Sequence, residues 1–124
     1  MNKKLFLLTL MISVIRLSTV SASGLIKGPY LIYPGSNTSM TVLWQLDESD
    51  NCQLQWGISS DDYSIGSVST SEYGNKHQHK YTITDLIPGN RYFYQLVIGS
   101  NTYQGSFYAA PPHRQFRCKI FNLR

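Results

Sequence analysis

The sequence is poor in several features that commonly carry function. Cysteine occurs only at Cys52 and Cys118. Two isolated cysteines are too few for a zinc site, which needs four nearby ligands or three with a water. They leave open an intrachain bridge, or a buried thiol at Cys52 beside an unpaired Cys118. No long hydrophobic run is present. The longest, Leu5 to Ile15, covers 11 residues and is followed by Arg16, well short of the roughly 18 to 20 a membrane span requires. Beyond the N-terminus no stretch repeats its apolar residues at helical spacing. No basic face for nucleic acid emerges either: Lys3, Lys4 and Arg16 lie at the N-terminus, and Arg114, Arg117, Lys119 and Arg124 crowd the last residues. Between them, residues 23–112 hold four Lys or Arg against seven Asp or Glu, so the basic balance says nothing about a nucleic-acid partner.

The N-terminus follows the pattern of an export signal. Asn2-Lys3-Lys4 is a short positive region, Leu5 to Ile15 is apolar on all sides, and Val20-Ser21-Ala22 offers small residues for cleavage after Ala22. Residues 1–22 are therefore expected to be a signal peptide, and the mature chain to be secreted or periplasmic, with no membrane span.

The remainder alternates with a period of two. Met40, Val42 and Trp44 interleave with Thr41, Leu43 and Gln45, and Cys52, Leu54 and Trp56 with Gln53 and Gln55. Tyr92, Tyr94 and Leu96 interleave with Phe93, Gln95 and Val97, and Tyr103, Gly105 and Phe107 continue after a Gly99–Thr102 turn. Gly28 to Pro34 is bounded by prolines and reads as an edge strand. A further short strand is expected around Ile65 to Thr70. His77, His79, Tyr81 and Ile83 are placed by this spacing on one face of a strand. Six or seven short strands in about 85 residues, punctuated by turns, predict an all-β, two-sheet sandwich.

The pattern is densest at Leu86-Ile87-Pro88-Gly89-Asn90-Arg91-Tyr92-Phe93-Tyr94. Pro88 and Gly89 make a turn, Pro presetting φ and Gly supplying a positive one. Leu86 and Tyr92 stand where a sandwich carries its tyrosine corner, with the hydroxyl bonding back to the backbone. Trp44, Trp56, Leu86, Pro88, Gly89, Tyr92 and Tyr94 are the expected structural residues.

Several constellations invite a chemical reading. His77 and His79 could ligate a metal, yet two imidazoles lack the third ligand and supporting partners a stable site needs; two half-buried core histidines are the simpler reading. Asp61-Asp62 and the group Asp47, Glu48 and Asp50 read as solvated loop charges, with weak calcium binding as the alternative. Asn37-Thr38-Ser39 is a glycosylation sequon. His113 has no nucleophile or carboxylate arranged around it for a hydrolase triad. Tyr33, Tyr63 and Tyr108 are candidates for an exposed binding patch.

The ordered series Gly28-Pro29-Tyr30-Leu31, Ser39-Met40-Thr41-Val42 with Trp44, Trp56-Gly57, Tyr73-Gly74, His79-x-Tyr81-x-Ile83, Leu86-x-Pro88-Gly89-x-x-Tyr92-x-Tyr94, Gly105-Ser106-Phe107 and Ala110-Pro111-Pro112 resembles the N-terminal fibronectin type III-like domain of secreted purple acid phosphatases and related metallophosphoesterases. The resemblance implies such a domain over residues 25–112. It implies a partner normally supplied in cis: a metallophosphoesterase catalytic domain that hydrolyses phosphate monoesters with dinuclear iron and a second divalent metal. The catalytic Gly-Asp-x-x-Tyr, Gly-Asn-His and Gly-His-x-His motifs do not occur in this sequence. Phe116 to Phe121 is similar to the start of the first catalytic strand, but Asn122-Leu123-Arg124 follow where relatives carry the first aspartate ligand. Residues 113–124 are thus expected to be a linker and an aborted start of that domain. No catalytic, metal or cofactor residue is expected in this chain. A free-standing adhesion or carbohydrate- or protein-binding sandwich is the alternative, and a metal protein built on His77 and His79 a third reading.

Overall fold

The computed structural model describes residues 23–112; the expected signal peptide and the segment 113–124 fall outside them. Seven strands follow one another: β1 Leu25–Ile32, β2 Met40–Leu46, β3 Cys52–Gly57, β4 Gly66–Thr70, β5 Gln78–Ile83, β6 Arg91–Ile98 and β7 Asn101–Tyr108. They form a three-stranded sheet, β1-β2-β5, and a four-stranded sheet, β4-β3-β6-β7, in which every pairing is antiparallel. The described residues form an all-β, fibronectin type III-like two-sheet sandwich.

The alternation in sequence becomes the two faces of each sheet. Val42, Trp44 and Leu46 of β2, Cys52 and Leu54 of β3, and Leu96 and Ile98 of β6 are fully or almost fully buried. Aromatic rings fill much of the remaining space, each removing roughly 150–250 Å² from water. Tyr92 stacks on Phe107 with ring centres 5.8 Å apart, and Tyr94 tilts against the same ring at 6.4 Å. Room for Tyr94 comes from Gly105, where a Cβ would stand 2.5 Å from the Tyr94 hydroxyl.

β4 and β5 meet along one flank of the sandwich, which leaves the free edges of β1 and β7 on the other. β1 begins three residues earlier than the proline boundary predicts, because Leu25 and Lys27 pair with Leu46 and Gln45. Its register then shifts between Lys27 and Tyr30, where Pro29 has no N–H to give a ladder. Among the described residues no helix is long and apolar enough to cross a membrane.

Candidate functional site

The turn at residues 86–90 ties one end of the sandwich together. Asn90 N–H donates to the Ile87 carbonyl at 3.1 Å, and Gly89 takes φ +81°, the value the third position of a type II turn demands. The Tyr92 hydroxyl accepts a hydrogen bond from the Ile87 N–H at 2.8 Å, five residues upstream, so the tyrosine corner forms as its spacing predicts. Leu86 N–H donates to the Thr38 carbonyl, and Gly89 N–H reaches the carbonyls of Ala109 and Ala110. One short loop thereby clamps both the β1–β2 turn and the stretch that leaves β7. Leu86, Tyr92 and Tyr94 are buried in the core, Pro88 is half-buried and Gly89 lies exposed at the tip.

A second cluster sits inside the opposite half of the core. Trp44 and His79 are cross-strand partners on β2 and β5, and their rings stack with centres 5.4 Å apart and planes 8° from parallel. Trp44 Nε1 donates to Cys52 Sγ at 3.4 Å. Thr70 Oγ1 lies 3.2 Å from His79 Nδ1 and donates to the Cys52 carbonyl at 3.4 Å. If the threonine gives its proton to that carbonyl, Nδ1 must donate to Thr70 Oγ1, and that tautomer leaves Nε2 an acceptor. No protein group meets that Nε2. Burial lowers the His79 pKa and raises that of the Cys52 thiol, because a charge in this apolar space lacks water.

His77 does not join His79 on the strand face. It precedes β5 with φ +53°, a left-handed turn that breaks the period-two spacing. Its Nδ1 instead faces Glu72 Oε1 at 3.0 Å, on a half-exposed surface. Hydrogen bonds from Ser49 and His77 hold the Glu72 carboxyl below its ordinary pKa. One imidazole is therefore sealed in the core and the other engaged at the rim. Among the described residues no three His, Cys, Asp or Glu side chains converge as metal ligands, so these side chains do not fit the dinuclear centre that the resemblance implies for a catalytic domain.

The acidic loops serve local structure. Asp47 accepts from the Gly24 N–H at 2.7 Å, Asp50 from Ser23 Oγ and the Asn51 N–H, and Asp62 from the Ser64 N–H. Tyr33 and Tyr108 are exposed and Tyr63 is half-buried, each on a different element. Trp56 packs over Gly66 and tilts against Tyr81. The Trp44–His79–Thr70 contacts had no signature in the sequence, since only the register of β2 against β5 brings the two rings together.

The family described as "Purple acid Phosphatase, N-terminal domain" matches residues 26–117. The chain belongs to this family. No curated protein matches it significantly. Among solved structures, the sensor domain of the anti-sigma factor RsgI4 from Pseudobacteroides cellulosolvens is similar in a short and a long form. The short form gives a TM-score of 0.54 at 17% identity, covering 75% of this chain and 99% of that one. The long form gives 0.57 at 16% identity, covering 75% and 94%. At such identities the likeness is one of fold alone.

Proposed function

We propose that this chain is the non-catalytic N-terminal sandwich of a purple acid phosphatase-like metallophosphoesterase, exported from the cell and built to stand beside a catalytic domain. The family match over residues 26–117 carries the reading. In this reading phosphate monoester hydrolysis, and the dinuclear iron and divalent metal it uses, belong to the partner domain. The residues described here contribute a rigid support. Trp44, Trp56, Leu86, Tyr92 and Tyr94 fill the core, while Pro88 and Gly89 shape the turn that fixes the end from which the chain departs toward residue 113.

The test is direct. The purified 124-residue chain, supplied with iron, zinc and manganese in turn, is assayed with p-nitrophenyl phosphate at acid and neutral pH. The expected turnover equals that of a heat-inactivated control. Metal-dependent turnover above that control overturns the non-catalytic assignment.

A further inference from the structure

The solvent face of the four-stranded sheet carries almost no charge. Arg91 is the only charged residue in β3, β4, β6 and β7, and none of the seven Asp and Glu side chains lies in a strand. Soluble domains ordinarily place mixed charges on such a face. Here amides and hydroxyls stand instead. The cross-strand partners Ser67, Gln55, Gln95 and Gln104 form one row over β4, β3, β6 and β7. Gln104 Nε2 donates to Gln95 Oε1 at 3.0 Å, and Gln95 Nε2 donates to Gln55 Oε1 at 2.9 Å. Beside them, Gln53 Nε2 donates to Ser67 Oγ at 2.9 Å.

We propose that this row binds an uncharged, extended, β-linked oligosaccharide lying across the strands. Three features select that ligand. The first is hydrogen-bonding character. An amide carries two N–H donors and an oxygen with two acceptor sites, so each glutamine keeps capacity after the ladder has formed. A sugar hydroxyl likewise donates and accepts, and a row offering both suits a polyol. The second is charge. Arg91 is held to one side, over the Phe93 ring at 4.8 Å and bonded to Ser106. An anionic polymer therefore meets no cluster of bases on this face, and a cationic one meets no acid.

The third is spacing. Members of the row stand on adjacent strands, about 4.8 Å apart, close to the rise of one pyranose unit in an extended β-linked chain. Each sugar then meets a fresh amide or hydroxyl. Gln55 and Gln95 are half-buried and tied into the ladder, so little side-chain freedom remains to be lost on binding.

The inference does not rest on the phosphatase lineage, and turnover in that assay would leave it standing. Its test is calorimetric titration of the 124-residue chain with xylohexaose, mannohexaose and cellohexaose, and with maltohexaose, whose α-linkages curl the chain. At least one of the β-linked hexasaccharides is expected to bind, with an affinity indifferent to salt because no ion pair forms, and maltohexaose is not. Gln95→Ala removes the middle amide with both ladder bonds, and Gln104→Ala removes the exposed end. Each should weaken binding about tenfold, while Lys80→Ala on the other sheet leaves it unchanged. Near-UV circular dichroism checks that every variant is folded. No binding to any β-linked chain overturns the proposal. So does equal affinity for maltohexaose, or equal affinity in all the variants. A steep fall with salt overturns it as well, because Arg91 and an anionic partner would then account for the binding.

Discussion

At the residue scale, His79 is a side chain whose chemistry the fold alters. It is fully buried between Trp44 of β2, Thr70 of β4 and Cys52 of β3, with Asp50, Glu72 and His77 the charged or titratable groups toward the rim. Asp50 and Glu72 favour its protonated form, and burial outweighs them, so the pKa falls. The unfolded chain therefore binds a proton that the folded one resists. Stability from this group is complete above the ordinary 6.5 and is lost as pH drops below it. Glu72 and Asp62, both lowered in the fold by their hydrogen bonds, add their losses only as pH falls below 4.5 and 3.8. Urea titrations between pH 7 and 5 should show the midpoint decline in the wild type and a flatter profile in His79→Gln. An equal decline in both would mean that His79 is not the titrating group. Tyr92→Phe tests the tyrosine corner in the same way. It removes only the acceptor for the Ile87 N–H, at a cost of about 1 kcal/mol, seen as a thermal midpoint about 4–8 °C lower.

At the scale of the element, glycines separate backbone requirements from packing ones. Gly89 has φ +81° and open space around its Cα, so alanine there meets only conformational strain, about 1 kcal/mol. Gly105 lies on β7 against the Tyr94 ring. Alanine there must displace a buried aromatic that also contacts Phe107, and overpacking of this kind costs about 1–3 kcal/mol. Chemical denaturation should rank Gly105→Ala as the more damaging; the reverse order would place the weight of the fold in its turn. β5 shows where period-two reasoning stops. Tyr81 and Ile83 follow the alternation from His79, whereas His77, one residue outside the strand, takes a left-handed conformation and turns to Glu72. Spacing describes a strand faithfully and has no authority beyond its end.

At the scale of the whole molecule, the two ends of the sandwich differ in character. The end holding the 86–90 loop gathers the turn after β1 and the exit from β7 through backbone hydrogen bonds. The other end carries the Asp47, Asp50 and Glu72 carboxylates, bonded to Gly24, Ser23 and His77. The phosphatase assay asks whether this arrangement turns over a phosphate monoester.

The sequence by itself determined the strands, the sandwich class and the tyrosine corner. Each of these rests on local rules: alternation with a period of two, the fixed φ of Pro88, the positive φ of Gly89, and a tyrosine three residues beyond that glycine. It also carried the family, through residues spaced along one chain. Tertiary structure alone decided that Trp44 and His79 stack, that His77 pairs with Glu72, and that among the described residues β1 lies at a sheet edge with Tyr30, Ile32 and Tyr33 exposed. Those outcomes depend on which strands become neighbours and in what register. A one-residue slip would turn every side chain of a strand to the other face, and no local spacing records that choice.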